Sequence, residues 1–254
     1  MSDLQCSAME LTGKVALLTG VKRIGGVVAE WLAREGCDVA LVYNRSATEA
    51  DATAARVKAG GRRAITLQAN LADPAASQRV VDDTLREFGR IDVFVAMAGL
   101  YTGTPFERLT LDVWDEHINI ELRSAFLIAH AAARSMKQNG GGRIILFSDW
   151  LPTSERPRYD GFLTYYVAKA GLKALAEAMA LELAEHNITV NSIAPGPILA
   201  PPETTQEEHE GVAKNTPLGR WGGEAEIAKA VLFYCRSDFI TGETVRVDGG
   251  RHLK

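Results

Sequence analysis

The chain has 254 residues, of which 46% are hydrophobic and 24% are charged. This composition predicts a globular protein with enough apolar side chains to build a large core. The 28 basic and 32 acidic residues give a formal charge of −4. Because there is no basic excess to hold a phosphate backbone, we do not expect nucleic-acid binding.

The sequence also predicts a cytoplasmic protein that neither enters a membrane nor binds a metal. No apolar stretch approaches the roughly 20 residues that span a bilayer, and the N-terminus "MSDLQCSAMELTG" has no signal-peptide pattern. The cysteines Cys6, Cys37 and Cys235 are widely spaced and form no metal or redox motif. We interpret them as reduced thiols.

Strand-like apolar segments alternate with helical patterns along the whole chain. The strand-like segments are, in order, "KVALLT", "DVALVY", "RAITLQA", "IDVFVAMAG", "GRIILFS", "ITVNSIAPG" and "ETVRVDGG". Strands that are apolar on both faces and alternate with helices predict an α/β fold, a Rossmann-type doubly wound parallel sheet of about seven strands flanked by helices. No linker interrupts the pattern, so residues 1–254 are predicted to form a single domain.

Helical patterns fill the spaces between these strands. Two of them, "IGGVVAEWLAREG" and "SATEADATAARVKAGG", follow the first and second strands. The third begins at Asp73, a predicted N-cap, with Pro74 in its first turn. Further patterns cover residues 111–136, 163–185 and 224–235. Residues 198–216 are rich in Pro, Glu and Thr and predict an irregular segment.

The turn after the first strand reads "LLTGVKRIGG" and is a candidate cofactor site. Gly20 and Gly25 lie where a strand turns sharply into a helix, which requires positive φ or a close backbone approach. The start of such a helix offers free N–H groups to a diphosphate. The spacing is not GxGxxG, so the turn alone leaves open whether these glycines bind a cofactor or only form the turn.

The end of the second strand favours NADP(H). An acidic residue about 20 positions after such a turn would bind the ribose hydroxyls of NAD. Asn44, Arg45 and Ser46 stand there instead, and Arg45 and Ser46 are suited to hold a 2′-phosphate. Lys22 and Arg23 in the glycine turn add positive charge. Equal efficiency with NADPH and NADH would contradict this assignment.

Several motifs together resemble those of a known family, the short-chain dehydrogenase/reductases, along nearly the whole chain. These motifs are "TGVKRIGG" at Thr19, "AMAG" at Ala96, "YYVAK" at Tyr165, "NSIAPG" at Asn191 and "VDGG" at Val247. Within the family the chain most resembles the pteridine reductases, including dihydromonapterin reductases. The features shared with that subgroup are "KRIG" in the turn, Arg45-Ser46 and the terminal "DGGRHLK". The 3-oxoacyl-thioester reductases are the next closest resemblance.

The resemblance implies a nicotinamide cofactor along the carboxyl ends of the strands. In the family the nicotinamide lies near positions corresponding to Gly99 and the Pro195-Gly196 turn, and Lys169 would hold its ribose. Together with the residues above, the predicted cofactor-binding set is Gly20, Lys22, Arg23, Ile24, Gly25, Asn44, Arg45, Ser46, Asn70, Leu71, Ala98, Gly99, Tyr165, Lys169, Pro195, Gly196 and Ile198.

Tyr165 and Lys169 form a candidate proton-transfer pair. Residues four apart in a helix share one face, so the two side chains would be neighbours. A nearby ammonium favours the phenolate, which predicts that Tyr165 acts as a general acid nearer neutral pH. This spacing also occurs by chance in exposed pairs, but the preceding strand and the other motifs favour catalysis. Tyr166 has no such Lys and is interpreted as packing or pocket wall.

Asp149 stands where most relatives have a catalytic Ser, as it does in the pteridine reductases, and Ser148 comes one residue earlier. A carboxylate only accepts hydrogen bonds unless its pKa is raised. It therefore suits a substrate with N–H donors, such as the 2-amino group of a pterin. The alternative is that Asp149 caps a turn while Ser148 is catalytic, so both are candidates beside Tyr165 and Lys169.

The chain departs from the family pattern in a few places. The segment after Asp149 is longer, and its "SERPRYDG" is expected to form part of the substrate wall. Glu121 stands at the position of the family's catalytic Asn, with Asn119 two residues earlier; Glu121 would either relay protons through water or be structural. Met97 replaces a structural Asn, and Ala200 replaces a cofactor-contacting Thr.

These features predict an NADPH-dependent reductase of C=N in a dihydropterin or dihydrofolate, or of C=O in a related small molecule. Residues 198–216 would close as a mobile lid or remain a passive loop. Two alternatives stay open, a 3-oxoacyl-thioester or other carbonyl reductase and a non-catalytic NADP(H)-binding sensor. The resemblance also implies a homotetramer.

Overall fold

The computed structural model describes residues 9–154 and 159–254. The N-terminal residues 1–8, including Cys6, lie outside the described residues. So do residues 155–158, which fall within the segment predicted to form part of the substrate wall. Cys37 and Cys235 are buried free thiols.

The strands form one parallel sheet of seven strands, in the order β3-β2-β1-β4-β5-β6-β7. This sheet, flanked by helices, confirms the predicted fold class. The strand bounds are β1 Val15–Thr19, β2 Asp38–Tyr43, β3 Ala64–Gln68, β4 Val93–Ala96, β5 Gly142–Phe147, β6 Ile188–Pro195 and β7 Thr244–Val247.

Helices cover both faces of the sheet. One face packs on α1, α2 and α9, and the other on α3, α5 and α7. The helix bounds are α1 Ile24–Arg34, α2 Ala47–Ala59, α3 Pro74–Phe88, α4 Leu111–His117, α5 Ser124–Gln138, α6 Trp150–Thr153, α7 Leu163–Leu183, α8 Gln206–Lys214 and α9 Glu224–Arg236. Asp73 caps α3 as predicted, accepting from the Ala75 N–H at 3.0 Å. No helix among the described residues is long and apolar enough to cross a bilayer.

The strands read as continuous apolar runs because consecutive side chains enter opposite cores. Leu17 and Phe94 point to the α3/α5/α7 side, whereas Leu18 and Val95 point to the α1/α2/α9 side. All four are fully buried. The period of two along a strand therefore supplies two apolar layers.

The helical pattern over residues 111–136 is not one regular helix. The structure places a π-helical turn, Ile118–Arg123, between α4 and α5. Such turns are rare and occur frequently at functional sites. This one carries Glu121.

The segment at residues 198–216 is not irregular throughout, which corrects the prediction. It contains α8, nine residues long, which begins with a capping box between Thr205 and Glu208. No residue of α8 is buried. Because the helix buries no apolar stripe, the apolar period that reveals a helix in a sequence is weak here.

The order of the strands leaves a crevice between the carboxyl ends of β1 and β4. The chain runs outward from β1 to β3 and then returns to the other side of β1 with β4. Thr19 and Ala96, the last residues of the two strands, are paired. A reversal of this kind is where open α/β sheets bind their ligands.

Candidate active site

The glycine turn lies at the β1 side of this crevice. Gly20 has φ +76, and a Cβ there would lie 2.5 Å from the Met97 carbonyl group. A Cβ on Gly25 would lie 2.3 Å from the Gly20 carbonyl oxygen. Neither position has space for a side chain, so both glycines are required for the backbone of this turn.

Arg23 directs its charge away from the crevice. It precedes α1 and has φ 57, a backbone conformation that residues other than Gly rarely adopt. Its guanidinium donates to the Ala200 carbonyl at 2.6 Å. Arg23 therefore links the glycine turn to the start of the segment at residues 198–216, and it is not among the residues that line the crevice.

The crevice holds a cavity of about 380 Å³. Of the predicted cofactor residues, those that line it are Gly20, Lys22, Asn44, Arg45, Ser46, Asn70, Leu71, Ala98 and Gly99. Glu116 of α4 and Ile120 of the π-helical turn also line it, although neither is in the predicted set. Both lie far along the chain from the glycine turn, and no local motif marks them.

The wall of the cavity at the end of β2 is polar and positively charged. Arg45 is exposed, and Lys22 lines the same cavity. The Ser46 hydroxyl makes no capping hydrogen bond to α2 within the described chain, so it is available as a donor. Two cations and a hydroxyl suit an anionic group, whereas a carboxylate at this position would repel one.

Other predicted cofactor residues lie outside this cavity. Ile24 begins α1, and Ile198 lines a separate cavity. Pro195 ends β6, and the N–H of Gly196 donates to the Val247 carbonyl at 2.9 Å. A Cβ on Gly196 would lie 2.4 Å from the Cβ of Asp248, so this glycine is explained by packing against the end of β7.

Tyr165 and Lys169 are neighbours on α7, as the spacing predicts. Both are buried, and the Lys169 Nζ lies 5.6 Å from the centre of the Tyr165 ring. The ammonium donates to the Phe147 carbonyl at 2.9 Å. It also lies 2.7 Å from the Glu121 Oε2.

Asp149 both caps a helix and contacts the tyrosine. Its Oδ1 accepts from the Leu151 N–H at 2.8 Å at the start of α6. Its Oδ2 accepts from the Tyr165 hydroxyl at 2.8 Å. Capping a helix and contacting Tyr165 are therefore not exclusive roles for Asp149, because one carboxylate oxygen caps α6 and the other accepts from the tyrosine.

Ser148 makes a structural hydrogen bond between the end of β5 and α7. Its hydroxyl is buried and donates to the Lys169 carbonyl at 2.8 Å. This bond ties the end of β5 to α7. Asp149, rather than Ser148, is thus the residue that contacts the Tyr165 hydroxyl.

The electrostatic prediction for Tyr165 is wrong. Burial raises the pKa of its phenol well above the ordinary value, and the charges of Asp149 and Glu121 act in the same direction. The Lys169 ammonium was expected to lower this pKa. In the structure that ammonium is paired with Glu121, and two carboxylates oppose one cation.

Burial also raises the pKa of the Asp149 carboxyl. The hydrogen bonds from the Leu151 N–H and the Tyr165 hydroxyl, and the charge of Lys169, act against this shift, whereas Glu121 adds to it. A protonated Asp149 gains a donor hydrogen that a carboxylate lacks. The raised pKa makes proton uptake easier at this carboxyl than at an exposed Asp.

Two aromatic residues that the sequence analysis missed flank Tyr165. Tyr101 stacks on Phe162 with ring centres 4.8 Å apart and meets the Tyr165 ring edge-on at 5.2 Å. Phe162 and Tyr166 line a second cavity of about 580 Å³. Tyr166 is thus a pocket wall, as one of its two interpretations held. A lone Tyr after "AMAGL" carries no local signal of this contact.

Comparison with known proteins supports a nicotinamide-dependent enzyme. The profile of a family described as "Enoyl-(Acyl carrier protein) reductase" matches residues 20–252. The chain is 36% identical over 244 residues to a 3-oxoacyl-(acyl-carrier-protein) reductase of Synechocystis sp., which covers 94% of this chain and 97% of that protein.

Solved structures give the same result. A short-chain dehydrogenase/reductase from Serratia marcescens superposes with a TM-score of 0.88 at 34% identity, covering 96% of this chain and 100% of that one. A blue fluorescent protein from a metagenomic library, solved with NADPH, also gives 0.88 at 34% identity, with coverage of 96% and 99%. None of these three relatives is named a pteridine reductase, so the narrower resemblance gains no support from them.

We predict that Gly20→Ala destabilises the protein more than Gly61→Ala. Both positions have positive φ, but a Cβ on Gly61 would have nothing within 4 Å. Gly61→Ala should lower the free energy of unfolding by about 1–2 kcal/mol through backbone strain alone. Gly20→Ala should lower it by roughly 1–3 kcal/mol more through the clash with Met97. Urea denaturation measures both, and equal losses would contradict the close approach.

Proposed function

Since the chain belongs to the short-chain dehydrogenase/reductase family, we propose that it reduces a carbonyl group of a small molecule with NADPH. The observation that carries the proposal is the buried hydrogen bond from the Tyr165 hydroxyl to Asp149, beside the Lys169 ammonium. This cluster lies at the carboxyl end of β5. It is joined to the cavity through Glu121, which contacts Lys169 and the Leu100 N–H.

The cavity residues would hold the cofactor. Arg45, Ser46 and Lys22 would bind the 2′-phosphate of the adenosine ribose, while Gly99 leaves its backbone uncovered at the other end of the cavity. When bound, NADPH supplies the hydride. The choice of NADP(H) over NAD(H) rests on these cations and on the absence of an acidic residue at the end of β2.

Tyr165 supplies the proton. A carbonyl that receives hydride on carbon needs a proton on oxygen, and the Tyr165 hydroxyl is the buried donor at this site. Asp149 orients that hydroxyl and, when protonated, can return a proton to it. Tyr101 and Phe162 form an aromatic wall beside the tyrosine, which favours a flat or apolar group next to the reacting carbon.

A 3-oxoacyl thioester is the first candidate substrate. The curated relative from Synechocystis sp. carries that activity in its name, and the match covers nearly the whole of both chains. Such a substrate offers a ketone oxygen to Tyr165.

A cyclic C=N compound of the pterin type is the second candidate. Asp149 supports it, because a carboxylate next to the proton donor suits a substrate with N–H groups. A ketone has no such donor. Substrate assays must therefore include both chemical classes.

We also propose that residues 198–216 close over the substrate. Arg23 holds the first part of this segment through Ala200. Trp221 stacks on His209 of α8 and donates from its indole N–H to the His209 carbonyl at 3.1 Å. Between these two contacts α8 has no buried residue, which suits a closing segment. A homotetramer remains part of the proposal, supported by exposed apolar residues on α5 and α7 such as Phe126 and Leu181.

Arg45→Ala should weaken the use of NADPH selectively. Removing a charge-assisted contact of about 1.5–3 kcal/mol corresponds to roughly a 10- to 150-fold rise in KM for NADPH, with KM for NADH unchanged. Arg86→Ala is a matched control, because Arg86 is an exposed cation paired with Asp83 on α3. Steady-state kinetics with both cofactors measure the effect. Equal use of NADH and NADPH by the unaltered protein would overturn the assignment.

Tyr165→Phe should abolish most reduction. The loss of the donor hydroxyl should lower kcat about 10²- to 10⁴-fold, followed as NADPH absorbance with acetoacetyl thioester, simple ketones, dihydrobiopterin, dihydrofolate and cyclic imines. Tyr234→Phe is the control, because it removes another buried hydroxyl on the opposite face of the sheet. Undiminished turnover in Tyr165→Phe would exclude this mechanism. No NADPH oxidation with any of these substrates would favour a cofactor-binding sensor.

Asp149→Ser should separate the two candidate substrates. Ser is also a good helix N-cap, so the start of α6 should be retained. A Ser hydroxyl can donate to a ketone oxygen, so turnover of acetoacetyl thioester should persist or rise. Turnover of a pterin should fall about 10²-fold or more if the carboxylate serves an N–H substrate. Equal losses on both classes would contradict a role for Asp149 in substrate selection.

A further inference from the structure

Glu121 is buried at the junction between the cavity and the proton-transfer cluster. It belongs to the π-helical turn between α4 and α5, and its side chain is fully inaccessible. Oε1 accepts from the Leu100 N–H at 2.6 Å. Oε2 lies 2.7 Å from the Lys169 Nζ. A Cβ on the neighbouring Gly99 would lie 3.1 Å from Oε1, so the loop packs closely over the carboxylate.

The two neighbours of Glu121 match the chemistry of a carboxylate. A backbone N–H and a Lys ammonium are both donors with no acceptor capacity. A protonated acid, or the amide of Gln or Asn, would turn a hydrogen toward one of them. A carboxylate can accept from the Leu100 N–H through one oxygen and form an ion pair with the ammonium through the other, and burial of the pair from water keeps the ionic contact strong.

The charge of Glu121 changes the balance around Tyr165. The charged or titratable side chains that face the phenol are Asp149 from the start of α6, Glu121 from the π-helical turn, Lys169 from α7 and Tyr101 from the loop after β4. Without Glu121 the single ammonium would face one carboxylate. With it the two carboxylates outnumber the ammonium, and the phenol proton is held more tightly.

We propose that Glu121 is a positioning residue that offsets the charge of Lys169, so that the Tyr165 phenol holds its proton more tightly and serves as a proton donor rather than as a phenolate base. The inference rests on the proposed function only in equating proton donation with the reductive direction. Burial and the charges of Asp149 and Glu121 raise the pKa of Tyr165, in the direction that this geometry requires.

The proton balance of the reaction follows from this arrangement. In reduction, bound NADPH would supply the hydride for the new C–H bond, and the Tyr165 O–H bond would break as the substrate oxygen takes the proton. The resulting phenolate would regain a proton from water. In oxidation the same phenol would have to start as a phenolate base, which the Glu121 charge disfavours.

The test is a titration of Tyr165 that does not depend on turnover. The ultraviolet absorbance of phenolate is followed against pH in the full-length protein, and the Tyr165→Phe protein is subtracted to isolate this one residue. In Glu121→Gln the midpoint of that signal should fall by about one pH unit or more, since one nearby charge shifts a pKa by about 1–3 units. Glu177→Gln should leave it unchanged, because it removes an exposed partner of Lys173 on the same helix.

The Glu121→Asp protein is the second variant for the Tyr165 titration. It keeps the negative charge although its shorter side chain cannot reach both donors, so the Tyr165 midpoint should stay near that of the unaltered protein. The inference is overturned if folded Glu121→Gln protein, checked by circular dichroism, shows no earlier phenolate signal. If Glu121→Gln does not fold, a fall of about one unit in Glu121→Asp overturns it instead. Absence of turnover on every substrate would count against the proposed function and leave this titration result standing.

Discussion

The site depends on an electrostatic constraint, a Lys ammonium buried between two carboxylates and a phenol. Lys169 pairs with Glu121, and Tyr165 donates to Asp149. Each contact fixes the next, because the ammonium also binds the Phe147 carbonyl at the end of β5. Burial makes these interactions strong and makes any unpaired member costly. The result is a rigid cluster whose charge is set by its members rather than by water.

The parallel sheet supplies the rigid frame for this cluster. Gly99 follows β4 and Asp149 follows β5, so both lie at the carboxyl edge of the sheet. Tyr165 of α7 contacts Asp149 at this edge. The π-helical turn is the unusual element, because it inserts Glu121 between the cofactor cavity and Lys169. A regular helix through the same residues would change the angular position of that side chain. The turn thus places one carboxylate in contact with both the Leu100 N–H at the cavity and the Lys169 ammonium.

The comparisons and the site bear on different parts of the function. Relatives that match nearly the whole chain establish the family, and the proposed carbonyl substrate rests on the name of one of them. The residue next to the Tyr165 hydroxyl is Asp149. Unlike a Ser hydroxyl, its carboxylate can only accept hydrogen bonds unless it is protonated. Family membership follows from the fold and from motifs spread along the chain, whereas substrate choice depends on a few side chains. Residues in the pocket can therefore change within a family while the sheet and the Tyr-Lys pair stay the same.

The sequence by itself determined the sheet, the glycine turn, the cap at Asp73 and the Tyr165–Lys169 pair. All of these follow from local periods or spacings. The tertiary structure decided the rest: α8 was hidden because it buries no apolar stripe, and Glu121 meets Lys169 only when the π-helical turn packs on α7. The pKa of Tyr165 moved opposite to expectation for the same reason. Burial and a second carboxylate are properties of the folded chain, and residues distant in sequence bring them together.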